Sequence, residues 1–178
     1  MENAQHGFRK NRSTISQLVI TVNDFASSLR DQKQTDAILL DFSKAFDKVD
    51  HEGLLLKLEH LGISGPLLKW IRSFLVGREQ RVVVDGMESV PSKVLSGVPQ
   101  GTVLGPLFFF IYTNDISKEL SKGFKIRLFA DDSLLYTVLP TGNDKNRGKF
   151  SKARVKGAAK TPLHVQGTAN SKVFREQK

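Results

Sequence analysis

Two adjacent carboxylates, Asp131 and Asp132, sit among apolar residues: Ile126, Leu128 and Phe129 before them, Leu134, Leu135 and Tyr136 after. An ionised carboxylate beside a core is costly unless it is paired or bound to a cation. Two side by side also repel, so without a cation one of their pKa values rises. A third carboxylate, Asp41, ends the apolar run Ala37 to Leu40. Brought together, three such groups offer hard oxygen ligands of the kind Mg²⁺ takes alongside water and phosphate oxygens. Two ions about 3.5–4 Å apart can activate one oxygen and stabilise a leaving one in a phosphoryl displacement. Each piece also has a plainer explanation. Asp is common in exposed hairpin turns, and an Asp ahead of a helix is a normal N-cap.

The elements that must position these groups follow from periodicity. Ile15, Leu18, Val19, Val22, Phe25, Ala26 and Leu29 recur at helical spacing, with Ser13 or Thr14 as a cap. Their stripe is expected to face a core. Ala37 to Leu40 reads as a buried strand carrying Asp41 at its end. Leu54 to Leu61 is a helix stopped at Gly62, and Ser64-Gly65-Pro66 opens another through Leu75. Proline suits a first helical turn because its missing N–H had no partner there. Arg81 to Leu95 reads as a hairpin around Asp85-Gly86, a pair that supplies the positive φ angles of a tight primed turn. Ser96 to Leu107 begins as a Gly- and Pro-rich loop, through which backbone can approach a substrate closely. Val103 to Leu120 is mostly helical, and Lys125 to Leu139 forms two strands around Asp131-Asp132. Without a regular βαβ repeat, the expected class is α+β with an antiparallel sheet packed on helices.

Composition divides the chain at residue 140. The net charge is +9 over 178 residues. Residues 140–178 hold 10 of the 27 Lys and Arg but 2 of the 18 Asp and Glu, a net +8. Residues 1–139 are therefore nearly neutral, and their function has to be read from motifs rather than pI. The tail has too few large apolar residues to offset its ordering entropy, so residues 140–178 are expected to be disordered. Zero cysteines exclude disulfides and thiolate zinc sites. No segment reads as a signal peptide or a membrane span, so an intracellular protein of the nucleus or cytoplasm is expected.

Taken together, Asp41-Phe42-Ser43-Lys44-Ala45-Phe46, Ser96-Gly97-Val98-Pro99-Gln100-Gly101-Thr102-Val103-Leu104-Gly105-Pro106-Leu107 and Phe129-Ala130-Asp131-Asp132 resemble motifs A, B and C of reverse transcriptases, in that order. Upstream, Gln5-His6-Gly7-Phe8-Arg9-Lys10-Asn11-Arg12-Ser13-Thr14 resembles the stretch that precedes motif A. The wording from Asp41 to His51 and the Phe-Ala-Asp-Asp form look most like non-LTR, LINE-type retrotransposons. The resemblance covers about residues 5–138.

The resemblance implies a partial fingers and palm fold in residues 1–139. It implies an RNA-directed DNA polymerase that adds dNTP to a DNA primer 3′-hydroxyl on an RNA template. Asp41, Asp131 and Asp132 would be catalytic and would hold two Mg²⁺ ions, with Mn²⁺ as a substitute, and the Phe42 carbonyl would face a metal. Phe46 would sit under the deoxyribose as a steric gate and, with Gln100, contact the dNTP. Gln100 and Gly101 would lie against the template, and Arg9 and Arg12 would touch its phosphates. The residues alone also fit a plainer account: Phe46 as a core residue, Asp47, Lys48 and Asp50 as a solvated helix face, and Arg9 and Arg12 as ordinary surface. The four histidines lack a metal-binding spacing.

Against the family pattern, most of the fingers, the later palm motifs and the thumb are not in the chain. It is therefore expected to be inactive or weak by itself. Two other outcomes remain open: a non-catalytic protein that binds nucleic acid through the basic tail, and an inert remnant of a retroelement.

Overall fold

The computed structural model describes residues 3–120, 123–139 and 173–174. These form two compact units. One comprises the described parts of Met1–Ser43 and Asn114–Lys178, the other Lys44–Thr113.

In the first unit, α1 (Thr14–Arg30) starts in a reciprocal cap: the Ser13 hydroxyl accepts from the Ser16 N–H, and the Ser16 hydroxyl accepts from the Ser13 N–H. Strand β1 (Gln34–Leu40) follows, as the apolar run predicted. In the second unit, a short 3-10 turn (Phe46–Lys48) precedes α2 (His51–His60) and α3 (Gly65–Leu75). Asp50 is the N-cap of α2, its carboxylate accepting from the Gly53 N–H at 2.6 Å, so this exposed charge also closes the start of the helix. Two-residue strands β2 (Glu79–Gln80), β3 (Val83–Val84), β4 (Met87–Glu88) and β5 (Ser92–Lys93) make one interrupted hairpin, and α4 (Leu104–Thr113) closes the unit. α2 packs on both α3 and α4, and Leu54, Leu58, Leu75 and Phe109 are fully buried. The helix expected over Val103 to Leu120 is thus split, α4 ending at Thr113 and a separate 3-10 turn covering Ile116–Glu119 in the first unit.

The first unit is completed by β6 (Phe124–Phe129), β7 (Asp132–Leu139) and the two-residue β8 (Val173–Phe174). The sheet order is β6-β7-β1-β8, and every pairing is antiparallel. The expected α+β class with an antiparallel sheet on helices is the one observed. Ala37 and Ile38 pair with Phe174 and Val173, a strand that the tail's composition did not suggest. The free edge of β1 offers the unpaired N–H and C=O groups that draw in such a segment. The rest of the expected disorder, residues 140–172 and 175–178, lies outside the described residues.

α1 departs most from its periodicity. Ile15, Leu18, Val19, Val22 and Leu29 are each at least 59% exposed, whereas Thr21 and Ser28 are buried. The reason lies between those two residues. The Asp24 carboxylate accepts hydrogen bonds from Lys125 (2.9 Å), Arg127 (2.9 Å) and the Tyr136 hydroxyl, so the side of the helix that bears Asp24 faces the sheet, and of the apolar stripe Phe25 meets Tyr136 there edge-on, ring centroids 5.2 Å apart. Among the described residues no helix is long and apolar enough to cross a membrane.

Candidate active site

The register of the sheet builds the site. β6 and β7 pair as far as Phe129 with Asp132, which leaves Ala130 and Asp131 as a two-residue loop. Ala130 has φ = 55° while Asp131 does not have a positive φ. One positive φ at the first loop position is the mark of a II′ turn, where glycine is the favoured residue. The N-terminal stretch supports this unusual alanine. The Gln5 side-chain oxygen accepts from the N–H groups of Gly7 (2.8 Å) and Ala130 (3.1 Å), and its amide nitrogen donates to the Ala130 carbonyl (3.1 Å). Gln5 is 6% exposed. His6 N–H donates to the Leu128 carbonyl and Leu128 N–H to the Ala4 carbonyl, both at 2.9 Å, which lays this stretch along β6. A Cβ on Gly7 would lie 2.4 Å from the Ala130 nitrogen, so only glycine allows so close an approach.

Asp41 follows directly on β1, whose last pair is Leu40 with Ser133. One step further along the same antiparallel register, Asp41 stands across from Asp132. The electrostatics agree: partial burial, then the charges of Asp131 and Asp41, push the Asp132 carboxyl above its ordinary value. Asp41 and Asp132 are exposed and Asp131 is half-buried. Three mutually repelling carboxylates with open oxygens are the right donors for a hard divalent cation, which would relieve the strain on Asp132. Among the described residues no group of three or more His, Asp or Glu is gathered closely enough to enclose a metal ion. The structure brings the three carboxylates to one end of the sheet without closing them into a cage, and Phe42 is next in the chain after Asp41.

Phe46, Gln100 and Gly101 belong to the second unit. The Phe46 ring stacks on Phe109 with centroids 4.4 Å apart. The loop that carries Gln100 is stitched to the turn after Asp41. Val98 N–H donates to the Phe46 carbonyl (2.9 Å), Gly97 N–H to the Val49 carbonyl (2.8 Å) and the Ser96 hydroxyl to the Asp47 carbonyl (2.7 Å). The Gln100 amide donates to the Asp47 carboxylate at 2.9 Å. The Gly97 carbonyl accepts from both Arg78 (2.7 Å) and His51 Nε2 (2.8 Å), which fixes the proton of His51 on that nitrogen. Asp47 therefore orients Gln100 instead of facing only solvent. Gly101, at φ = 75°, has open space where a side chain would be.

Arg9 donates to the Gln5 carbonyl at 3.2 Å, and Arg12 to His6 Nε2 at 2.8 Å. His6 is 1% exposed and also bonds the Ser16 hydroxyl. Burial, then the Arg12 charge, lower its pKa, so it serves as a neutral acceptor.

A family model described as reverse transcriptase (RNA-dependent DNA polymerase) matches residues 1–152. The chain belongs to the reverse transcriptase family. It is 37% identical over 139 residues to the RNA-directed DNA polymerase from mobile element jockey of Drosophila funebris, covering 75% of this chain and 15% of that protein. It is 35% identical over 112 residues to a probable RNA-directed DNA polymerase from transposon BS of Drosophila melanogaster, covering 63% of this chain and 12% of the relative. Both relatives belong to non-LTR elements, the class that the sequence resembled. Among solved structures, apo telomerase of Candida tropicalis, truncated from its C-terminal domain, superposes with a TM-score of 0.66 at 15% identity. That match covers 98% of this chain and 36% of the telomerase, and it shows a shared fold.

Within this reverse transcriptase chain, sequence reasoning assigned no role to Gln5, Gly7 or Asp24. Gln5 and Gly7 lay inside a stretch that already matched the family, yet their partner Ala130 is 125 residues from Gln5. The one signal that could have found Gln5 was a polar residue beside an obligate glycine, followed by an alanine at the tight position of a hairpin.

Proposed function

We propose that this chain contributes the palm of an RNA-directed DNA polymerase, in which Asp41, Asp131 and Asp132 hold two Mg²⁺ ions, or Mn²⁺ in their place, for transfer of a dNTP to a primer 3′-hydroxyl on an RNA template. The observation that carries this reading is the sheet register: β1 and β7 pair as far as Leu40 with Ser133, and β6 and β7 as far as Phe129 with Asp132, so Asp41 comes beside the turn that bears Asp131 and Asp132, in a chain whose family is that of polymerases. When bound, the ions would stabilise the attacking and leaving oxygens of the displacement. Asp41 and Asp131 supply the ligating oxygens, the Phe42 carbonyl adds a neutral one, and Asp132 supports the pair. Phe46 is the proposed gate against a ribose 2′-hydroxyl. Its ring has only the edge and face left by stacking on Phe109 to offer a sugar. Gln100, oriented by Asp47, and Gly101 are proposed to meet the template and the nascent base pair. Arg9 and Arg12 are proposed to lie along template phosphate, with the engagement of Arg12 by His6 limiting its reach.

Residues 1–139 are proposed to carry this chemistry and residues 140–178 to form a separate basic tail. The net +8 of that tail favours one further reading, nucleic-acid binding without catalysis. Primer extension on an RNA template with dNTP and Mg²⁺ or Mn²⁺ separates the two. Catalysis by the triad predicts incorporation that falls by about 10³ or more in Asp131→Ala, in line with the several kcal/mol a catalytic metal supplies. Binding without catalysis predicts no incorporation under any metal, together with salt-sensitive RNA binding that Asp131→Ala leaves intact and removal of residues 140–178 abolishes.

A further inference from the structure

We infer that Gln5, seated by Gly7, is a positioning residue for the carboxylate turn: it holds Ala130 in a left-handed conformation that presets where Asp131 and Asp132 point. The inference rests on the metal reading above for its functional meaning, but the clamp itself stands on geometry.

Ala130 occupies the one loop position whose φ of 55° disfavours any residue with a Cβ. A non-glycine residue keeps such a conformation only when its surroundings determine it. Both polar groups of Ala130, N–H and C=O, are bonded by one amide side chain, at 3.1 Å each. A single primary amide can bridge the N–H and C=O on either side of one Cα in this way because it carries an acceptor and a donor side by side. The same oxygen takes the Gly7 N–H at 2.8 Å, so the side chain is itself anchored from the opposite side. Reversing the amide would aim its NH₂ at two N–H groups, so its orientation is determined. Gln5 is nearly inaccessible to water, so these bonds are made without competition from solvent. The residue after Ala130 is Asp131, so a change in the Ala130 peptide redirects that carboxylate first and Asp132 next.

The test compares five forms of the full 178-residue chain: wild type, Gln5→Ala, Ala130→Gly, the double variant, and Asp131→Asn. Mn²⁺ binding is read from the electron paramagnetic resonance of free ion, and protection of the Ala130 amide from hydrogen exchange. Gln5→Ala is expected to weaken Mn²⁺ binding about tenfold, the lower end of what loss of a supporting hydrogen bond costs a metal site. Glycine adopts the left-handed turn without a clamp, so Ala130→Gly is expected to restore most of that affinity in the Gln5→Ala background. A role confined to general stability would show no such rescue. Gln5→Met, close in volume but without the amide, replaces Gln5→Ala if circular dichroism shows that the alanine variant unfolds. Mn²⁺ affinity unchanged by Gln5→Ala while Asp131→Asn abolishes it, or a loss that Ala130→Gly leaves uncorrected, overturns the inference. Equal Mn²⁺ binding by wild type and Asp131→Asn removes the metal reading instead. The clamp is then decided by exchange: faster exchange at Ala130 in Gln5→Met supports it, and unchanged protection overturns it.

Discussion

Two tight hairpin turns among the described residues are held by opposite means. The β3–β4 turn places Asp85 and Gly86 at φ = 51° and 79°, the two positive angles of a type I′ turn, with residues that tolerate them. Every residue from Glu79 to Lys93 is exposed, and the Arg81–Glu88 pair at 2.8 Å lies in water, where it adds little. That turn is specified locally. The β6–β7 turn places an alanine at the glycine position and two carboxylates beside it, a poor local choice on each count. It persists because Gln5 and Gly7 hold its backbone and Asp24 ties its strands to α1. The turn that a sequence explains by itself is the one exposed along its whole length; the one that needs distant support presents Asp131 and Asp132. Where local preference and observed structure conflict, function is the usual beneficiary.

Three substitutions break or sharpen this contrast. The largest effect is expected from Gly7→Ala, whose new methyl would meet the Ala130 backbone. It should cost about 3 kcal/mol, the upper end for overpacking against a group that cannot move aside, read as a lower midpoint in urea. Next is Asp24→Ala, which leaves Arg127, Lys125 and the Tyr136 hydroxyl without their shared acceptor and should cost ~2 kcal/mol at neutral pH. Burial alone would raise the Asp24 pKa, but hydrogen bonds from Tyr136, Lys125 and Arg127 outweigh it and bring it from 3.8 to about 2. Burial and the bond to Asp24 push Tyr136 up to about 12. Because the folded pKa of Asp24 is the lower one, its stabilisation is present above about pH 4 and is lost as pH falls towards 2. Thermal melts of the wild type should decline across that window more steeply than those of Asp24→Ala; parallel curves would remove Asp24 as the tie. The smallest effect belongs to the solvated turn. Gly86→Ala should cost ~1 kcal/mol, the penalty of a Cβ in the left-handed region and nothing more. A loss equal to that of Gly7→Ala would mean that the two hairpins are not held differently.

What was legible in the sequence was whatever neighbours in sequence decide. The apolar run ending at Asp41, the Asp85-Gly86 turn and the Ser13 cap each carry a local signature and form where they were expected; the two strands from Lys125 to Leu139 form as well, but their turn falls on Ala130-Asp131, one residue before the expected Asp131-Asp132. The convergence of Asp41 on Asp132 was legible only as a condition, that β1 lie beside β7, and the Leu40–Ser133 register meets it. The orientation of α1 was not legible. Its helical period is correct, but the buried side is chosen by Asp24 meeting Lys125, Arg127 and Tyr136, all more than 100 residues away. Asp47 and Asp50 are exposed, as surface charges should be, but their bonds to the Gln100 amide and the Gly53 N–H were not legible, because those partners are fixed by how loops and caps close rather than by any spacing of like residues.

The inverted α1 has a thermodynamic consequence. Ile15, Leu18, Val19, Val22 and Leu29 stay largely exposed in the folded state, and the helix docks through the Asp24 cluster and the edge contact of Phe25 with Tyr136 instead. Exposing apolar surface raises heat capacity on unfolding and exposing polar surface lowers it. Unfolding this helix therefore adds little or even subtracts from the total, where a helix docked by its apolar stripe would add to it. The unit that carries the carboxylates should have a flatter stability curve than its length implies, losing less of its stability in the cold than a conventionally packed sheet and helix of the same size.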